Sequence, residues 1–217
     1  MNLSGINLIE SIQKDVSAKV LVLSNLITIV LAVVFSWSII IILWSYWLQS
    51  VIIGLFNFIK ILTLKDFSTK GMFAGAQASP VPSAGLKIFI AFFFAFHYGF
   101  FHLIYAVFLS MFTAASFFLS SFSFTDLSFI LLSGIIFFFN HLFSFIYYSK
   151  KPQKKQNIGK VMMFPYARII PMHLTIIFGG IFLATGIGSV FVIILFLGLK
   201  TIADLVMHLI EHKEQLS

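Results

Sequence analysis

From Val20 to Ile59 the chain runs for forty residues without a formal charge. A helix crossing a bilayer uses about 20 apolar residues, so this run is too long for one crossing and long enough for two. A second such run extends from Ile88 to Thr125. Only 10% of the residues are charged and 60% are hydrophobic, against about 25% charged in an ordinary soluble domain. That is too little polar surface to coat a water-soluble globule, and too much apolar content for disorder. The fold class that remains is all-α: a polytopic membrane protein built as a bundle of six transmembrane helices.

The spans follow from the apolar runs and their breaks. They are expected at about 19–35, 38–62, 87–112, 127–149, 162–183 and 189–212. The first break falls at Phe35-Ser36-Trp37-Ser38, and residues 63–86 form a loop closed by Pro80, Pro82 and Gly85. Residues 113–126 are read as a turn or shallow interfacial piece, and 150–160 as a basic loop. Three regions result: an amino-terminal interfacial segment at 1–19, a transmembrane domain at 20–212 and a tail at 213–217. Ile9, Ile12 and Val16 share one helical face in the first of these, as a helix lying on a bilayer would have it. The first apolar run lacks a cleavage site of small residues, so the first helix is expected to be retained.

Charge placement gives orientation. The amino terminus, the 63–86 loop, the 150–160 loop and the carboxyl terminus fall on one side and hold the loop Lys residues, whereas the loops near 36, 113–126 and 184–188 contain no Lys or Arg. This segregation predicts a multi-pass cell-membrane protein with both termini cytoplasmic. It also explains the net charge of +7 without nucleic acid, for which no basic, aromatic-interleaved soluble module exists. The chain has no cysteine, which removes disulfides, thiolate metal sites and cysteine nucleophiles. Its twenty-nine Phe read as packing and lipid-facing residues.

Ionisable groups inside a span are costly and are functional candidates by default. At about 1.5 Å per helical residue, His97, His141 and Asp204 come about 14–15 Å from the cytoplasmic edge, and His173 roughly 8–18 Å. His208 lies about 6–8 Å deep by the same measure. Lys200, Asp204, His208 and His212 recur at intervals of four and share one helix face. His97, His173, Asp204 and His208 are therefore the expected metal ligands, with a divalent metal, zinc first, as cofactor. His141 and Arg168 are the expected catalytic residues, polarising or positioning substrate. His102, about 140° round the helix from His97, is left out of the site. Ser133-Gly134 lacks the Gly two residues before the serine that an intramembrane serine protease would carry, and Gly186-Ile187-Gly188 is too short for a dinucleotide loop.

A set of motifs in fixed order adds a resemblance. It comprises Tyr46-Trp47 with Gly54 and Lys60; His97-Tyr98-Gly99; His141 with Ser144-Phe145; and Pro165-Tyr166 with Arg168 and Pro171. His173 with Gly179-Gly180, and Leu199-Lys200-Thr201 with Asp204 and His208, complete it. Over about residues 20–212 the chain resembles an uncharacterised family of archaeal and bacterial integral membrane proteins. The resemblance implies a six-helix membrane protein with no assigned activity. In that family's pattern the second residue after Trp47 is often acidic, and here it is Gln49.

The leading expectation is a metal-dependent membrane hydrolase acting on a lipid or another membrane-resident substrate. The alternatives are a proton or metal-ion transporter, a haem-binding membrane protein, and a structural subunit of a membrane complex.

Overall fold

The computed structural model describes residues 16–35, 37–70, 81–118, 123–150, 155–166, 169, 173–174, 197–198 and 200–208. Expectations for residues 1–15, for Arg168 and His212, and for most of the fifth and sixth spans fall outside them. The described chain is mostly helical, and four of its helices are long and apolar enough to cross a membrane.

Helix α1, Val16–Val34, presents one stripe inward: Ser17, Ala18, Leu21, Ser24, Asn25, Thr28 and Ala32. The three- and four-residue steps are those of a single helical face. Small side chains on that face let α1 lie close to α4, Phe124–Ser149. The chain then turns within the expected break, and α2, Ile39–Thr63, starts behind Ser38, whose hydroxyl accepts from the Ile41 amide. Helix α2 is the most buried of the described membrane-length helices. It packs on both α4 and α3, Ala84–Phe118, and 72% of its apolar stretch is buried, against 33% for α3 and for α4.

Two glycines set these approaches. A β-carbon at Gly54 would come within 2.5 Å of the Tyr98 ring, and one at Gly134 would collide with Leu48. Hydrogen bonds then fix the register. Trp44 Nε1 donates to Thr113 Oγ1 at 2.8 Å, and Trp47 Nε1 to the His102 carbonyl at 2.8 Å. Gln49 Nε2 donates to Ser133 Oγ at 3.0 Å, and Asn140 Nδ2 to Ser24 Oγ at 3.2 Å.

Helix α3 runs through Phe118 rather than ending near 112. Its Phe, Ala and Thr residues carry no helix breaker, and Thr113 bonds the Leu109 carbonyl and Trp44 together. Helix α4 also starts earlier than expected, because the Asp126 carboxylate accepts from the Ser123 amide at 2.6 Å and anchors the first turn.

The two basic loops contain a feature the sequence pattern does not announce. Strand β1, Phe67–Ser68, pairs in parallel with β2, Gln156–Asn157. Asn157 then caps α5, Ile158–Met163, by accepting from the Lys160 amide, and its Nδ2 donates to the Lys70 carbonyl at 2.8 Å. Lys87 Nζ donates to the Leu64 carbonyl at 2.9 Å. Beneath this clip, Ile61, Phe67, Ile90, Phe94, Ile158 and Val161 share one apolar cluster. The 64–70 and 155–160 segments therefore sit at the same end of the bundle.

Candidate functional site

The middle residue of α1 is Asn25, the middle of α2 falls beside Ser50, that of α3 beside His102, and that of α4 at Phe137. These midpoints meet in a buried polar layer, which the helical residues 200–208 complete. Lys200 Nζ donates to Asp204 Oδ2 at 2.7 Å and to Asn25 Oδ1 at 2.8 Å. Lys200 and Asp204 are 6% and 2% exposed. The ammonium also sits 5.3 Å from the Tyr46 ring centre and 5.0 Å from that of Phe137, within range of the negative ring faces. A buried ion pair persists only if its remaining hydrogen-bonding capacity is used. Here a neutral amide and two aromatic faces serve the cation without adding charge.

Two cavities, each with room for roughly a single water, lie against this pair. One is bordered by Asn25, Thr28, Trp37, Ser45 and Thr201, the other by Ser50, Ile53, Phe137 and Asp204. Tyr46, Gln49 and Lys200 belong to both walls. Lys200 thus stands in the partition between a space reaching toward the α1–α2 turn and a space reaching along α2 toward its carboxyl end. The Oε1 of Gln49, the Oγ of Ser45 and the Nδ2 of Asn25 are buried with no hydrogen-bond partner among the described residues, and the surface that the cavities expose is almost wholly apolar.

Beside the second cavity lies a hydrogen-bonded set centred on His102. Its Nδ1 is 2.8 Å from the Tyr98 carbonyl and its Nε2 is 2.8 Å from Ser50 Oγ. Ser50 Oγ is 2.9 Å from the Tyr98 hydroxyl, which also donates to the Ser50 carbonyl at 3.1 Å. Gly54, one turn beyond Ser50, gives the Tyr98 ring the room to make this reach.

The expected site residues are distributed differently from the sequence reading. Asp204 is central. His208 is buried one turn on and meets the Tyr148 ring edge-on at 6.4 Å. His141 is half-buried and lies against Phe137 at 4.5 Å and Phe56 at 6.1 Å, with Phe137 between it and Lys200. His97 faces outward, stacked on Phe93 and bonded through Nδ1 to the Tyr166 hydroxyl at 2.8 Å. His173 is also exposed, with Nδ1 3.1 Å from the Tyr105 hydroxyl. Arg168 lies outside the described residues. Among the described residues no three of His, Asp or Glu gather as a group able to hold a metal ion.

On α3 it is His102, not His97, that is buried. The angular argument that His97 and His102 cannot share a site holds, but the inward face is that of His102. The signal was present. Ala91, Phe94, Tyr98, His102, Tyr105 and Leu109 are all buried, and their three- and four-residue steps form one stripe that His97 does not join. Asn25, Gln49 and Ser50 were missed because they do not ionise, although polar side chains in apolar helices commonly bond across helix interfaces.

Fold and site together define a helical protein with four membrane-length helices and a buried Lys–Asp pair among uncharged polar groups. The chain belongs to the family described as "Family of unknown function (DUF6498)", whose model matches residues 8–217. No curated protein and no solved structure was found to be similar to it.

Proposed function

We propose that this is a proton-translocating integral membrane protein in which Asp204 and Lys200 form the carrier site. The observation that carries the reading is the placement of Lys200 in the wall between two small cavities while it is bonded to Asp204 at 2.7 Å. A proton reaching Asp204 from the second cavity neutralises the carboxylate. The charge-assisted bond is then lost, and the ammonium, on its flexible four-carbon stem, can turn toward the first cavity and release a proton there; the proton on Asp204 then passes to the neutral amine and restores the ion pair. Asn25 and the rings of Tyr46 and Phe137 hold the ammonium while Asp204 is neutral. Buried ionisable residues near the middle of apolar helices are typical of proton paths.

In this reading the chain crosses a cell membrane six times with both termini cytoplasmic, as its Lys distribution and its family motifs suggest. The β1–β2 clip supports the topology, since it ties the two basic loops together at one end. The metal-dependent hydrolase receives less support. It needs His97, His173, Asp204 and His208 around one ion, whereas the first two engage the hydroxyls of Tyr166 and Tyr105 and the third engages Lys200.

The test is proton flux into liposomes holding the full chain and a trapped pH-sensitive dye, with a potassium diffusion potential as the driving force. Wild type should exceed empty liposomes by at least about tenfold, and Asp204→Asn and Lys200→Gln should both lose that flux. Wild-type flux equal to that of empty liposomes, or retained in both folded variants, sinks the reading.

A further inference from the structure

We propose that the β1–β2 clip carries a binding surface for the phosphate of an anionic phospholipid, held chiefly by Lys70 and Lys160. This goes beyond proton transfer and takes from that reading only that the helices cross a membrane.

Charge is sorted to one end of the described bundle. Lys65 and Lys70 flank β1, Lys155 and Lys160 flank β2, and Lys150 follows the last turn of α4; each is exposed. Lys60 and Lys87, half-buried, stand on the adjoining turns of α2 and α3. Against them the described residues of these segments offer one carboxylate, that of Asp66. At the opposite end, the described residues of the α1–α2 and α3–α4 connections carry Asp126 and no Lys or Arg. Lysine clusters placed just outside apolar helices are attracted to anionic lipid.

The clip turns part of this set into a fixed pair. The Oδ1 of Asn157 accepts from the Lys160 backbone N–H at 3.1 Å, and its Nδ2 donates to the Lys70 carbonyl at 2.8 Å. Two lysines from separate loops are therefore clamped on either side of one amide group. A phosphodiester spreads its charge over two oxygens, so two ammonium groups on flexible four-carbon stems can engage it together.

Depth and neighbours point to a lipid rather than a soluble anion. Helix α2 has 25 residues, about 37 Å at about 1.5 Å each, against about 30 Å of hydrocarbon. Its carboxyl end reaches the headgroup layer, and the clip follows directly. Phe67 and Ile158 are buried with Ile61 and Ile90, which seats the strands on the end of the bundle. Lys87 Nζ, bonded to the Leu64 carbonyl, holds the start of α3 at the same level. Beyond Lys87, Phe89, Phe92, Phe93 and Phe96 are exposed along α3. A cationic rim above exposed rings matches a molecule with an anionic head and apolar tails.

The test uses the full chain in phosphatidylcholine nanodiscs doped with spin-labelled phosphatidylglycerol or spin-labelled phosphatidylcholine. The motionally restricted fraction of each label gives their relative association. Phosphatidylglycerol should be preferred at least about threefold at low salt, falling toward parity at about 1 M salt, where screening acts within about 3 Å. Lys70→Gln/Lys160→Gln should lose most of the preference. Lys19→Gln/Lys150→Gln, which removes the same charge from α1 and the end of α4, should keep most of it. Asn157→Ala retains every lysine but breaks both clamping bonds, and should lower the preference as well. No preference in wild type, or equal losses in the two lysine pairs, or full preference in Asn157→Ala, overturns the proposal. Absence of proton flux from a chain that still selects phosphatidylglycerol removes the transport reading alone, whereas a chain stripped from vesicles by alkaline carbonate removes both.

Discussion

Lys200 and Asn25 are 175 positions apart in the chain and meet in a 2.8 Å hydrogen bond between two buried side chains. The bond closes the bundle by joining the helical residues 200–208 to the middle of α1. It also adds to the coordination of an ammonium that is bonded to Asp204, one turn away on its own helix. The amide oxygen accepts a hydrogen bond from Lys200 without adding charge.

That arrangement predicts strong non-additivity. Lys200→Met or Asp204→Leu alone leaves an unpaired buried charge and should destabilise by about 3–5 kcal/mol. The double variant Lys200→Met/Asp204→Leu removes both charges and should recover most of the loss. Thermal unfolding in one detergent, arranged as a double-mutant cycle, measures the coupling. Additive losses would contradict a buried pair.

Gly54 and Gly99 should respond oppositely to the same substitution. A methyl group at Gly54 meets the Tyr98 ring, which cannot retreat without leaving Ser50. Gly54→Ala should cost about 1–3 kcal/mol. Nothing lies within 4 Å of a β-carbon at Gly99, so Gly99→Ala should be neutral or stabilise by up to about 1 kcal/mol, the helix-propensity gain. Unfolding midpoints of the two variants decide.

The β1–β2 clip can be tested covalently, because the chain has no cysteine of its own. Ser68 and Asn157 are direct partners in the ladder, close enough for a disulfide. Ser68→Cys/Asn157→Cys should cross-link on mild oxidation, seen as altered gel mobility reversed by reductant. Each single cysteine should react with a membrane-impermeant thiol reagent from the same face of a sealed vesicle. Labelling from opposite faces would refute the shared end.

His97 and His102 should differ in the same assay. His97 is exposed and bonded to one phenol, so His97→Ala should shift stability by less than about 1 kcal/mol. His102→Ala removes a buried ring and leaves Ser50 without its acceptor, with an expected cost of about 2–4 kcal/mol. Elemental analysis of wild type alongside these variants tests the metal-site expectation directly. One zinc per chain, lost in His97→Ala, would restore the metal-site expectation.

The helical class, the break near Ser36 and the placement of α1 to α4 were legible because they depend on run length and on local breakers. Asp204 was legible as well, since a carboxylate in an apolar run is conspicuous on energetic grounds alone. The inward choice between His97 and His102 was harder. Both lie in a helix that is apolar all round, and with Phe on every face the hydrophobic pattern marks no core side. The polar stripe of Tyr98, His102 and Tyr105 carried the information in its hydroxyls rather than in its hydropathy.

The clip was not legible at all. Two-residue strands have no periodicity, and although charge counting puts both loops on one side, nothing local in either segment specifies that they pair. Composition and run length by themselves determined that this chain forms long apolar helices and that ionisable groups are held among them, because those consequences follow from solvation energy residue by residue. Only tertiary packing decided which groups meet: Lys200 with Asn25, Ser50 with His102, Gln49 with Ser133. Each partnership depends on helix rotation and close approach, which small residues such as Gly54 and Gly134 permit and which no single segment encodes.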